Sequence, residues 1–151
     1  MESLHVAETI SAVGILSVGS LFDLKSRKVP VKLLAVGMAA GIFFLCSRVW
    51  SSTGTDNFIQ IVGESVGCFV PGLLLLLLTF ITEKKVGIGD GIMLLLIGGM
   101  EGAGVVWAVF CLALFVQSLA AAVLLICKKA NRKTALPFIP FMLIGRLLLF
   151  I

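Results

Sequence analysis

The sequence predicts an all-α membrane protein, a bundle of about six transmembrane helices with both termini external, and three observations lead there. Hydrophobic residues make up 60% of the 151-residue chain and charged residues only 13%, whereas soluble domains run nearer about 45–50% apolar. The apolar residues fall into successive runs, most of them close to the ~20 residues that a helix needs to cross a bilayer. Ten of the twelve basic residues sit in the first, third and fifth breaks between those runs. Lipid must act as part of the solvent for such a chain.

The first run extends from about His5 to Phe22. Glu2 and Glu8 stand where a signal peptide would be basic, and no small-residue cleavage site follows, so this segment is expected to be retained. His5 reads as an exposed residue near the chain start. The second run is Val31 to Trp50, and the third, Phe58 to about Thr82, contains Glu64 and Pro71. The fourth starts near Ile88 and ends near Met100. Ala103 to Cys127 forms a strong fifth, with Gln117 in mid-span as an interhelical hydrogen-bonding residue. Pro137 to Ile151 is the last. The fourth and sixth are short for a crossing, so tilting, local bilayer thinning or re-entry is expected of them. Gly98-Gly99 and Gly102-Ala103-Gly104 are expected to permit close helix packing and a turn between the fourth and fifth spans. The whole chain, 1–151, reads as one domain without internal repeats.

The basic residues orient the bundle. Lys25, Arg27, Lys28 and Lys32 follow the first run, Lys84 and Lys85 the third, and Lys128, Lys129, Arg132 and Lys133 the fifth. Arg48 and Arg146 lie near the opposite ends, together with Glu2, Asp56 and Glu101. Retention of positive charge on the inner side makes the odd loops cytoplasmic. The net charge of +4 is bunched between apolar runs, and so reports orientation rather than a nucleic-acid partner. Cys46, Cys68, Cys111 and Cys127 form no CxxC pair, which speaks against zinc or a disulfide framework and for small core residues. Arg146 and Glu64, both several residues inside external span ends, are expected to form a structural ion pair, with Glu8 as the competing partner.

Two acids stand out. Asp23 closes the first run and Asp90 opens the fourth. One helix runs inward and the other outward, so both carboxyl groups fall at the cytoplasmic membrane boundary. Two carboxyl groups at one depth can share a proton and act as base and acid toward water and a peptide carbonyl. Asp90 would also suit a helix start, where the dipole favours an anion. Asp23 lies at a helix end, where negative charge is unfavourable. Gly87 and Gly89, just before Asp90, let a backbone approach closely.

Gly87-Ile88-Gly89-Asp90 resembles the GxGD signature of intramembrane aspartic peptidases. Asp23, followed after a polar stretch by Val29-Pro30, resembles the first motif of type IV prepilin peptidases. Pro137-Phe138-Ile139-Pro140-Phe141 resembles the Pro-Phe-x-Pro-Phe segment near that family's C-terminus. Order and spacing agree over nearly the whole chain, in the manner of the short, peptidase-only branch. The resemblance implies that Asp23 and Asp90 are the catalytic pair, with Gly87, Gly89 and Pro30 admitting the substrate backbone. It implies a multi-pass protein of the cell membrane that cuts the basic leader from pilin-like precursors. No metal, cofactor or nucleic acid is implied, and the oligomeric state is left open. Val31 stands where the family commonly has Asn or Asp, and Ile92 where it commonly has Lys. Two rival readings are a small ion-coupled transporter or channel subunit, and an inactive assembly protein that kept the peptidase fold.

Overall fold

The computed structural model describes residues 2–26, 30–52, 58–81, 87–127 and 137–149. Six helices follow in chain order, and the described residues form no strand: α1 (Glu2–Ser26), α2 (Val31–Ser52), α3 (Phe58–Ile81), α4 (Ile88–Glu101), α5 (Ala103–Ile126) and α6 (Ile139–Leu148). The helices coincide with the apolar runs to within a few residues. α1 goes a turn past Phe22 and takes in Asp23 and Lys25, whose ammonium suits the negative end of the helix dipole. α2 starts directly after Pro30, whose carbonyl accepts the amides of Leu33 at 2.9 Å and Leu34 at 3.3 Å. A proline loses nothing at a helix start, where its missing N–H would have no partner in the helix. Arg27, Lys28, Lys84, Lys85, Lys128, Lys129, Arg132 and Lys133 lie outside the described residues, as does Asp56.

Among the described residues, stretches long and apolar enough to cross a membrane occur in three helices: Val6–Lys25, Gly63–Ile81 and Ala103–Ile126. The chain is a membrane protein. α4 is different. Its 14 residues rise only about 21 Å, short of the ~30 Å hydrocarbon thickness. It packs against α1, α2, α3 and α5, and buries Met93, Leu94, Leu96, Ile97 and Met100 among them. Protein rather than lipid surrounds it, so its length need not match the bilayer.

Glycines set how closely the helices approach. A Cβ on Gly98 would collide with the Cys68 carbonyl oxygen on α3, and one on Gly99 would stand 3.2 Å from the Gly41 carbonyl oxygen on α2. On the other side of the bundle, a Cβ on Gly145 of α6 would lie 3.1 Å from the Val109 carbonyl oxygen of α5. Small residues allow such contact between backbones, which replaces the hydrophobic driving force that lipid removes. Gly102 alone joins α4 to α5, with φ 89° and ψ 175°, and its amide donates to the Gly98 carbonyl at 3.0 Å. That backbone region is essentially closed to residues with a side chain.

Two expectations need correction. Only Cys68 is buried, while Cys46, Cys111 and Cys127 are exposed, because they point away from the neighbouring helices. Arg146 does not pair with Glu64, which is exposed on α3. Its guanidinium bonds instead to the Glu101 carboxylate at 2.6 Å, with both side chains under a tenth exposed. Glu101 ends the short α4, so it lies inside the bundle beside Arg146 rather than at an outer surface. Gln117 is half-buried on α5.

Candidate active site

Asp23 lies in the last turn of α1 and is buried, at 8% exposure. Lys25 and Leu24 beside it are exposed, so the helix turns the carboxylate inward and sends the cation out. Asp90 is half-buried in the first turn of α4. Its amide donates to the Gly87 carbonyl at 3.1 Å, which closes that turn. Its carboxylate folds back over the helix start: a Cβ on Gly87 would stand 3.1 Å from Oδ2 and 3.4 Å from Cγ. A larger residue at 87 would crowd the carboxyl group.

A packed layer below joins the two helices that carry the acids. The position of a Cβ on Gly19 of α1 meets Met93 Cε of α4, Ile139 Cγ2 of α6 at 3.6 Å and Leu33 Cδ2 of α2 at 3.7 Å. Gly19 precedes Asp23 by about one turn, and Met93 follows Asp90 by about one turn. Residues so spaced share a helix face, so the next turn of each helix carries its aspartate toward the other. The Asp23 carboxylate acts electrostatically on that of Asp90. Helices α1 and α4 are in direct contact.

The remaining expected residues fall at the same end. Gly89 is half-buried in the first turn of α4, and Pro30 is half-buried at the start of α2. Phe138 and Ile139 are buried at the start of α6, so the proline–phenylalanine segment comes from the far end of the sequence to the same rim. Val31 is exposed and Ile92 packs against the core. Two buried hydroxyl residues were missed by the sequence reading. Ser20 lies a turn before Asp23, and Thr79 lies near the end of α3, where its hydroxyl donates to the Leu75 carbonyl at 2.8 Å. Their signal was a lone polar residue on the inner face of an apolar run.

The model of the type IV leader peptidase family matches residues 10–126, more than half of the chain. The protein belongs to that family, and is a membrane protease of the leader peptidase type. The matched stretch holds Asp23, Pro30, Gly87, Gly89 and Asp90, and leaves out the Pro137–Phe141 segment and Arg146. Comparison with curated proteins and with solved structures finds no match.

Proposed function

We propose that the protein is an aspartic endopeptidase that removes the basic leader from pilin-like precursors at the cytoplasmic face of the cell membrane, with Asp23 and Asp90 as its catalytic pair. One observation supports this above the others: in a member of a leader peptidase family, two acids far apart in sequence lie at the same end of two contacting helices, within electrostatic reach of one another. All six helices cross the membrane in this reading, both termini lie outside, and the basic loops hold the site end in the cytoplasm.

The chemistry needs one proton on the pair. The ionised carboxylate takes a proton from water as the water oxygen bonds to the peptide carbonyl carbon. The protonated partner gives its proton to the carbonyl oxygen. The tetrahedral diol then collapses, a proton passes to the amide nitrogen, and the C–N bond breaks to leave a carboxyl and an amine end. Gly87 and Gly89 leave room beside Asp90 for an extended substrate backbone, and Pro30 borders the opening. The precursor presents its scissile bond where its basic leader meets its hydrophobic helix.

The test is cleavage of a pilin-like precursor by the purified protein, read as a mobility shift. Asn has nearly the shape of Asp but cannot take or give the proton. Asp23→Asn and Asp90→Asn are each expected to slow leader removal by roughly 10²–10⁴-fold, the usual worth of a general acid or base, with insertion and yield near normal. Cleavage by Asp90→Asn at the wild-type rate would sink the assignment.

A further inference from the structure

The bundle has a second buried polar cluster, at the end opposite the aspartates. Arg146 Nε donates to Glu101 Oε1 at 2.7 Å and to Oε2 at 2.8 Å, and Nη2 donates to Thr9 Oγ1 at 3.1 Å. Thr9 also hydrogen-bonds to the Glu101 carboxylate, and the buried Glu8 lies within its electrostatic reach. Three helices therefore meet in one cluster: α1 through Thr9, α4 through Glu101 and α6 through Arg146.

The two helices joined by Arg146 are the two that carry the aspartates. Thr9 precedes Asp23 by 14 residues on α1, and Glu101 follows Asp90 by 11 residues on α4. At about 1.5 Å per residue these are straight struts of roughly 21 Å and 16.5 Å. The α6 backbone packs closely on α5 and α1. It reaches α4 at two levels: Ile139 enters the Gly19–Met93 layer under the aspartates, and Arg146 grips Glu101 at the other end. Apolar side chains between these levels interlock but make no directional bond that singles out one register. A guanidinium held by both oxygens of one carboxylate and by a hydroxyl on another helix does fix that register.

We infer that Arg146 is a positioning residue: through Glu101 and Thr9 it sets the axial register of α4 against α1, and with it the spacing of Asp90 and Asp23. The inference rests on the peptidase reading above. Loss of the grip lets α4 slip by a fraction of its rise per residue. A misplacement of about 1 Å at reacting groups costs on the order of 10²-fold in rate, without altering the surface that recognises the precursor.

The experiment compares wild type, Arg146→Gln, Arg146→Lys, the double variant Arg146→Gln/Glu101→Gln, and Asp90→Asn, all purified as the full chain and assayed on a precursor of pilin type. Arg146→Gln is expected to lower kcat by roughly 10²-fold with KM little changed. The double variant restores a neutral hydrogen-bonded bridge and is expected to recover at least about tenfold of that loss; rates are taken on protein shown to be folded, where destabilisation alone leaves kcat per folded molecule unchanged. If Arg146→Gln does not fold, Arg146→Lys decides. It keeps the charge but loses the fork, and a kcat loss at normal KM supports the proposal. Wild-type kcat in whichever single variant is folded, or loss without recovery in a folded double variant, overturns it. Cleavage by Asp90→Asn at the wild-type rate overturns the peptidase reading instead. An inert Asp90→Asn beside a fully active Arg146→Gln overturns only the positioning role.

Discussion

Replacing Gly98 by alanine sets a methyl group against the backbone of α3. The new Cβ would stand 2.9 Å from the Cys68 carbonyl carbon and closer still to its oxygen, where an unstrained carbon contact needs about 3.5–4.0 Å. No side chain can rotate to relieve this, because the obstacle is main chain. The oxygen contact is the tighter of the two and sets the separation, so the helices must part by about 1 Å or more to restore ordinary contact. Overpacking of this kind costs about 1–3 kcal/mol. α4 carries Asp90, so a displacement of that size also slows leader removal by on the order of 10²-fold. The control is the same change at Gly14 on α1, where a Cβ meets nothing within 4 Å. There alanine removes backbone freedom from the unfolded chain and is expected to stabilise by about 0.4–1 kcal/mol, with cleavage unchanged. Thermal unfolding in detergent and initial rates of precursor cleavage read both effects. A Gly98→Ala protein with wild-type melting and wild-type rate would refute the close approach of α3 and α4.

Further outcomes follow from other parts of the molecule. Glu101→Leu leaves the Arg146 charge buried without its carboxylate partner and is expected to destabilise the fold by about 3–5 kcal/mol; Glu101→Leu/Arg146→Leu should recover most of that in the same melting assay. Gly102→Ala forces a side chain into a glycine-only backbone conformation and should cost about 1–3 kcal/mol by thermal unfolding. The proposed mechanism has the aspartate pair share one proton, and on it the rate of leader removal is expected to fall at both acid and alkaline pH. A profile flat across both limbs would count against the pair. Reporter fusions after Lys28 and Lys133 are expected to read cytoplasmic, and fusions after Asp56 and at Ile151 external; a cytoplasmic C-terminus would overturn the six-span topology.

The helices were legible because apolar run length and bunched basic residues are strong one-dimensional signals, so each boundary fell within a few residues. That Asp23 and Asp90 lie at one end of the bundle was legible by counting runs: a residue closing the first helix and one opening the fourth fall at the same end when successive helices alternate in direction. The central place of α4 was not. It reads as a weak span, and only the glycines at 91, 98 and 99, in contact with neighbouring backbones, mark it as enclosed. The same blind spot misdirected Arg146. Its depth was reckoned as though every helix began and ended at the membrane surfaces, which favoured Glu64. α4 ends early, so Glu101 lies inside the bundle, while Glu64 faces outward. Periodicity and length cannot report that one helix stops short within a ring of longer ones. Ser20 and Thr79 went unnoticed because a single hydroxyl in an apolar run carries no period of its own.

The brevity and enclosure of α4 also bear on how the protein is made. A helix of 14 residues with Asp90 near its start and Glu101 at its end is a poor passenger for insertion alone, since the insertion machinery favours about 20 apolar residues. α5, with 24 residues and a single glycine between the two, supplies the apolar mass that α4 lacks. Entry of the two as one hairpin would satisfy that length requirement. In the folded bundle α4 is received by α1, α2 and α3 as well as by α5. The place of Asp90 beside α1 thus depends on the helices that enclose α4 as much as on α4 itself.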